Sequence, residues 1–179
     1  AGSLVGVAAV TAAALAGNGS PVAWGVALAI TTALGVVNGL LITKLKLQPF
    51  IATLAMMIFA RGCIYLYSDG GDVYAQGADP AFRWLGSGYI WIIPVPVVLF
   101  VALWVTLAYV MKHPRWGRHV YAVGANEDAA RVYGIGVDRI KIQVYALSGL
   151  LAGIAGLILV SRVSVAEPNA GNPFELDAI

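Results

Sequence analysis

Long apolar blocks constrain this chain more than any other feature of its sequence. They cover about residues 4–15, 22–43, 49–67, 89–111 and 142–160. Within a block the apolar residues follow neither a 3.6-residue nor a 2-residue alternation, which is typical of helices surrounded by lipid or by each other. Only 11% of the residues are charged, too few to cover a water-soluble surface. The sequence therefore predicts an all-α, polytopic transmembrane helix bundle with about five hydrophobic helices, in a single domain over residues 1–179.

The two ends of the chain predict a longer parent protein. The first block is short for a bilayer, which needs about 20 apolar residues per helix. The chain begins at Ala1 without Met or a basic leader, and apolar character returns at residues 176–179. We therefore expect a truncation at each end.

The basic residues predict an orientation. Eight of the eleven Lys and Arg residues follow the second block or lie in the polar region 112–141: Lys44, Lys46, Lys112, Arg115, Arg118, Arg131, Arg139 and Lys141. Short basic loops face the cytoplasm, so region 112–141 is predicted to be a cytoplasmic loop. Region 68–88 is then an outer, periplasmic loop. Within it, residues 79–85 are predicted to form a short amphipathic helix. Tyr89 and Trp91 mark the outer interface, and Pro94 and Pro96 delay or kink the fourth helix.

Motifs for chemistry are missing from the sequence. It contains no phosphate-binding Walker motif, no carboxylate pair within a block, and no hydrolase or metal-ligand motif. His113 and His119 lie among basic residues and are interpreted as solvated groups. A net charge of +2 is too small to indicate nucleic acid. We expect no catalytic residue, no metal and no cofactor.

A few polar and small residues interrupt the blocks. Arg61 costs at least ~2.5 kcal/mol in lipid, so it either snorkels or lines a polar pathway. Asn38 and Gln143 are interpreted as interhelical hydrogen-bond partners rather than ligands. Glycines spaced four apart favour close packing within the chain over a subunit interface. Those pairs are Gly2–Gly6, Gly35–Gly39 and Gly149–Gly153, the last extended by Gly156.

Residues 126–134 predict a two-turn helix in the basic region. Asn126 is a good N-cap, Glu127 and Asp128 suit the positive end of the helix dipole, and Gly134 can end the helix in the left-handed conformation. A plain surface helix and a docking helix for a partner protein are both compatible with this pattern.

This segment resembles a known loop. Asp128-Ala129-Ala130-Arg131-Val132-Tyr133-Gly134 is similar to the Glu-Ala-Ala-x-x-x-Gly loop of ABC importer permeases, with Asp128 where Glu is usual. Other stretches resemble the ribose/xylose/galactose branch of the branched-chain amino acid and sugar permease family, in the family's order. These stretches are residues 48–54, 61–62, 117–126, 145–153 and 175–179.

The resemblance implies a function and a set of partners. It implies a multi-pass permease subunit in the bacterial inner (plasma) membrane that moves a small polar solute, by preference a monosaccharide, by alternating access. Hydrolysis of ATP is then expected on a separate cytoplasmic ATPase subunit. A second permease subunit, identical or different, completes the pathway, a periplasmic solute-binding protein meets residues 68–88, and lipid surrounds the bundle.

The resemblance also implies site residues. ATPase docking falls on Glu127, Asp128, Ala129, Ala130, Arg131 and Gly134. The pathway candidates are Asn38, Phe50, Thr53 and Arg61.

Two other classes stay open. A membrane scaffold or assembly protein would have no pathway of its own. An ion-coupled secondary transporter often has ionisable residues at mid-membrane and inverted repeats, and the blocks contain no carboxylate and no clear repeat. The identity of the solute also stays open, with the amino acid branch included.

Overall fold

The computed structural model describes residues 2–167 and is dominated by α-helices. The α-helices in that range are α1 Gly2–Leu15, α2 Ser20–Lys44, α3 Pro49–Ser68, α4 Pro80–Ser87, α5 Val95–Lys112, α6 Arg115–Ala125, α7 Glu127–Val132 and α8 Val137–Val163, and a short 3-10 helix, Ala16–Asn18, joins α1 to α2. The two-residue strands are β1 Val73–Tyr74, β2 Tyr89–Ile90, β3 Ile93–Pro94 and β4 Val165–Ala166. The motif that we assigned to residues 175–179 lies outside the described residues.

Four of the helices within residues 2–167 are long and apolar enough to cross a membrane: α2, α3, α5 and α8. The shorter apolar helix α1 precedes them. This arrangement confirms the prediction of an all-α, polytopic membrane bundle.

One helix boundary confirms a sequence prediction and another differs from it. Helix α5 begins at Val95 rather than at Tyr89, where the apolar block begins, which confirms the delay predicted from Pro94 and Pro96. Pro94 is its N-cap residue, and Pro96 lies in its first turn, where a missing N–H costs nothing. Helix α8 begins at Val137, inside the predicted polar loop, so Asp138 and Lys141 belong to its first turns. The sequence analysis also missed helix α6 entirely.

Helix α1 lies at the centre of the bundle. Every residue from Gly2 to Val10 is buried, and α2, α3 and α8 pack around it. Its Ala, Gly and Val side chains are small, so neighbouring backbones approach closely. A β-carbon added at Gly156 of α8 would lie 2.5 Å from the carbonyl oxygen of Val5.

Helices α2 and α8 form the most extensive helix pair. A β-carbon at Gly35 would collide with the carbonyl oxygen of Tyr145, and one at Gly149 would collide with that of Thr31. At Gly39 it would lie 2.8 Å from the Cα of Ile142. These contacts confirm that the glycines of α2 and α8 serve packing within the chain.

Short elements join the helices at the end of the bundle opposite most of the basic residues. We call this the outer end, and the basic end the inner end, after the predicted orientation. Strand β1 pairs antiparallel with β4, with Val73 opposite Ala166. Helix α4 confirms the predicted amphipathic helix, buries Phe82 fully, and lies against the end of α8. The Asp79 carboxylate accepts a hydrogen bond from the backbone N–H of Ser20 at 3.1 Å, which ties this loop to the start of α2.

Helix α5 stands apart from the rest of the bundle. Val95 is the one buried residue of this helix. Its outer end touches α4, and its inner end is connected through α6, where Trp116 Nε1 donates a hydrogen bond to Gln143 Oε1 of α8 at 2.7 Å. This bond confirms Gln143 as an interhelical partner. Between α5 and α8 lies an apolar cavity of about 760 Å³.

Candidate functional site

The charged end of the bundle brings together the two basic regions of the sequence. A polar cavity of about 680 Å³ lies between the α2–α3 turn and the α7–α8 region. Thr43, Lys46 and Gln48 line one side, and Asp128 and Lys141 line the other. The sequence analysis placed both regions on the same side of the membrane, and the fold brings them together at one end.

Helix α7 begins and ends as its sequence predicts. Asn126 Oδ1 accepts a hydrogen bond from the backbone N–H of Ala129 at 2.9 Å. At the other end Gly134 has φ +77°, where a β-carbon is disfavoured, and its N–H donates to the carbonyl of Arg131 at 3.0 Å. The N–H of Ile135 donates to the carbonyl of Ala130 at 3.0 Å, which completes the turn.

Four charged side chains fasten α7 to the first turns of α8, and we call them the α7–α8 clamp. Lys141 Nζ lies 2.6 Å from Glu127 Oε2. Arg131 Nη2 lies 3.2 Å from Glu127 Oε1 and 2.8 Å from Asp138 Oδ1. An isolated six-residue helix is not stable in water, so these pairs and the buried Ala130 hold α7 in place.

The clamp changes the proton affinity of its members. The hydrogen bond from Lys141 lowers the pKa of Glu127, with a further contribution from Arg131 and partial opposition from burial. The carboxylates of Glu127 and Asp138 raise the pKa of Arg131. Both groups are therefore held in their charged forms at neutral pH.

The residues predicted to dock a partner divide into two groups. Glu127 and Arg131 are engaged with α8, and Ala130 is buried beneath the helix. Ala129 is half-buried, while Asp128 and Gly134 are exposed.

Two exposed apolar residues lie within the range 127–134 that the resemblance assigned to ATPase contact, but the sequence analysis did not single them out. Val132 and Tyr133 are 86% and 84% exposed at the end of α7. A signal was available, because Val132 lies two residues after Ala130 and so about 200° around the helix from it. If Ala130 faces the protein, Val132 must face away. We call Asp128, Val132, Tyr133 and Gly134 the α7 outer face.

Three of the four pathway candidates lie along one side of α3. Phe50, Thr53 and Arg61 are spaced three and eight residues apart, which places them on a common face, with Met57 between the last two. Phe50 is 70% exposed, and Thr53 Oγ1 donates to the carbonyl of Pro49 at 2.9 Å. A buried stripe beside them packs inward: Ala52, Met56, Ala60 and Ile64.

Asn38 is separate from these three residues. It is buried on α2, next to Gly39. Its Oδ1 is buried and accepts no hydrogen bond from the described residues. A carbonyl oxygen without a donor in an apolar surrounding costs about 1–3 kcal/mol. No group of three or more metal-ligating side chains occurs in the described part of the chain.

Membrane-length helices around a buried α1, with a short capped helix clamped to their basic end, define a polytopic membrane protein. The chain belongs to the branched-chain amino acid transport system / permease component family, whose profile matches residues 1–179. It is a multi-pass protein of the bacterial inner membrane.

Relatives in several bacteria are named as sugar permeases. The ribose import permease protein RbsC of Escherichia coli K12 is 43% identical over 187 residues, which cover 99% of this chain and 57% of the relative. The L-arabinose transport system permease protein AraH of the same strain is 40% identical, over 80% of this chain and 43% of the relative. The fructose import permease protein FrcC of Rhizobium meliloti is 34% identical, over 81% and 42%. This chain thus spans 42–57% of the length of these relatives. No solved structure matches it.

Proposed function

We propose that this chain is part of the permease subunit of an ATP-binding-cassette importer that moves a monosaccharide into the cytoplasm by alternating access. The observation that carries the proposal is the clamped helix α7, which presents exposed apolar side chains at the basic end of the bundle. The relatives supply the solute class, because ribose, L-arabinose and fructose are all monosaccharides.

The α7 outer face is the proposed docking surface for a cytoplasmic ATPase subunit, where ATP hydrolysis takes place. Val132 and Tyr133 form an apolar projection that can fill a groove on a partner. The resemblance also placed Glu127 and Arg131 among the docking residues. In this proposal they do not contact the ATPase but hold α7 to α8.

The clamp also suggests how a movement of the partner reaches the membrane. A displacement of α7 is transmitted through Glu127–Lys141 and Arg131–Asp138 to α8. Helix α8 in turn packs on α2 in close backbone contact at Gly35, Gly39 and Gly149. We infer that α7, α8 and α2 move together as one unit when the permease alternates between its two states.

The proposed pathway runs along the face of α3 that contains Phe50, Thr53 and Arg61. A guanidinium on a membrane helix is costly in lipid and suits a polar surrounding, and the hydroxyl oxygen of Thr53 on the same face can still accept a hydrogen bond from a polar solute. Asn38, with its buried carbonyl oxygen, is the remaining candidate. A second permease subunit, the same or different, is proposed to cover the exposed sides of the helices, and a periplasmic solute-binding protein is proposed to meet region 68–88.

The proposal is tested with Tyr133→Asp in the full-length gene product, co-expressed with the ATPase encoded beside it and reconstituted in proteoliposomes. A charge at Tyr133 should abolish copurification of the ATPase and uptake of the sugar. The matched control is Tyr121→Asp, because Tyr121 is also an exposed tyrosine near the same end of the bundle, but on α6. It should retain both properties.

Two results would contradict the proposal. If Tyr133→Asp binds the ATPase and transports like the wild type, α7 is not the docking element. If ATP hydrolysis by the intact complex responds to a branched-chain amino acid with its binding protein and to none of ribose, xylose, galactose, L-arabinose and fructose, the monosaccharide assignment is wrong.

A further inference from the structure

A short β-hairpin precedes α5 at the outer end of the bundle. Tyr89 pairs with Pro94 and Ile90 with Ile93, so the two-residue loop consists of Trp91 and Ile92. The N–H of Val95 donates to the carbonyl of Gly88 at 2.9 Å, which closes the base of the hairpin. A β-carbon at Gly88 would collide with the backbone and ring of Trp84. The hairpin is therefore fixed between α4 and the first turn of α5.

The loop of the hairpin holds a tryptophan where the backbone favours glycine. Trp91 has φ +63°, in the left-handed region that bulky residues rarely adopt. Two-residue hairpin loops with a positive φ at their first position usually have glycine there. Backbone strain of this kind persists where the surrounding structure fixes it, and it is concentrated at functional sites.

Within residues 2–167 the Trp91 side chain packs against almost nothing. Trp91 is 97% exposed and Ile92 is 84% exposed, while Tyr89, Ile90 and Ile93 are also exposed. An exposed apolar cluster of this size marks a surface that binds something outside the chain.

The sequence around the hairpin favours lipid over protein as its partner. From Trp84 to Met111 there is no charged residue, whereas the rim of a protein–protein interface is polar. The hairpin also continues directly into α5, whose side chains beyond Val95 are all at least partly exposed and which is apolar enough to span a bilayer. The apolar surface of the hairpin is thus continuous with the lipid-facing surface of a transmembrane helix.

The backbone limits how deeply the hairpin can enter. A two-stranded hairpin has edge N–H and C=O groups that only water or headgroups can satisfy, so it cannot lie in the hydrocarbon core. Tryptophan favours the headgroup level, where its ring is apolar and its N–H is solvated.

We propose that residues 89–94 form an interfacial anchor, with Trp91 and Ile92 inserted among the phospholipid headgroups of the outer leaflet. The anchor sets the height of α5 in the bilayer. This role does not depend on which solute the protein moves or on whether an ATPase binds at the opposite end.

Depth-dependent quenching tests the anchor in the full-length gene product. Ile92→Cys in a Cys63→Ser background is labelled with an environment-sensitive fluorophore and reconstituted into phosphatidylethanolamine/phosphatidylglycerol vesicles. Asp72→Cys, an exposed position in the preceding outer loop, is the matched control. We expect a blue-shifted emission at position 92, quenched more strongly by lipids with a shallow nitroxide than by lipids with a deep one. Position 72 should show neither effect.

Two outcomes would overturn the anchor. Emission at position 92 that is water-like and quenched by iodide, as at position 72, would place the hairpin in solvent. Emission that is protected from iodide but insensitive to nitroxide lipids would show that a protein surface, from a partner or a second copy of this chain, covers it.

Two substitutions of Trp91 distinguish the effect of its side chain on anchoring from the effect of its strained backbone on stability. Trp91→Gly removes both the side chain and the strained backbone, while Trp91→Ser removes the side chain and keeps the strain. Both should shift the emission of the probe at position 92 to that of a solvated fluorophore. Only Trp91→Gly should raise the melting temperature in detergent. An unchanged probe emission in both variants would contradict the role of Trp91.

Discussion

Helices α8 and α5 are both apolar and long enough to span a bilayer, yet they relate to the bundle in opposite ways. Helix α8 lies against α1, α2 and α4, with glycines at the points of closest approach. Helix α5 contributes only Val95 to the interior and is joined to the bundle at its two ends. Average hydrophobicity does not distinguish these helices, whereas the positions of small residues do.

The comparison shows which surfaces this chain satisfies by itself. Lipid offers no hydrophobic drive for helix association, so close backbone contact through small residues stabilises α8 against α2. Helix α5 has large side chains such as Phe100 and Trp104, which are exposed and suited to lipid or to a partner helix. Helices α2 and α8 are therefore packed closely against each other within the chain, whereas most of the surface of α5 is exposed.

Gly149→Leu should have the largest effect. The new side chain would meet the carbonyl of Thr31 and separate α8 from α2, and overpacking of this kind costs about 1–3 kcal/mol or more. We expect loss of the monodisperse fraction after heating in detergent. The control Ala102→Leu, at an exposed position of α5, should melt like the wild type. If both variants lose the same share of monodisperse protein on heating, α8 and α5 do not differ in how closely they pack on the bundle.

Trp116→Phe should have the next largest effect. It removes the hydrogen bond to Gln143 that connects the inner end of α5, through α6, to α8, a loss of about 0.5–1.5 kcal/mol. Distances between spin labels on α5 and α8 should broaden at the inner end and stay narrow at the outer end. A distribution that matches the wild type at both ends would show that α5 is held by other contacts.

Acid should loosen the α7–α8 clamp. The pKa of Glu127 is lowered in the folded state, so the ionised carboxylate stabilises that state. This contribution to the free energy of unfolding is fully present above the ordinary pKa of 4.5. It is lost as the pH falls below 4.5 through the lower pKa of the folded state. Exposed pairs of this kind contribute about 0.2–1 kcal/mol. Limited proteolysis near residues 126–136 should accelerate below pH 4.5 in the wild type. The Glu127→Gln variant should be cleaved at the faster rate already at pH 7. If its cleavage still accelerates below pH 4.5, a titratable group other than Glu127 controls the clamp.

Gly25→Ala should have the smallest effect. Gly25 lies on the same helix as Gly35, but a β-carbon there meets nothing within 4 Å. Alanine favours the helix over glycine by about 1 kcal/mol at most, so the melting temperature should stay the same or rise slightly. A clear loss of stability would mean that this part of α2 contacts another chain.

Local chemistry made much of this molecule predictable. The membrane helices follow from block length, and the ends of α7 follow from Asn126 and Gly134, because capping depends on neighbours three or four residues away. The ion pairs of the clamp could not be predicted from local sequence, since Lys141 lies 14 residues from Glu127. Helix α6 was missed because its basic residues were interpreted as loop, although it is amphipathic. The exposure of Val132 and Tyr133 became evident only once Ala130 was seen to be buried.

The packing of α2 on α8 also has a consequence for biosynthesis. On the order of 100 residues separate the glycines of α2 from those of α8, and at about 5–20 residues per second a ribosome needs roughly 5–20 s to make them. During that interval the small-residue face of α2 has no partner in the membrane. The nascent chain is therefore expected to need a temporary occupant of that face, lipid or an insertion factor, which α8 displaces when it enters.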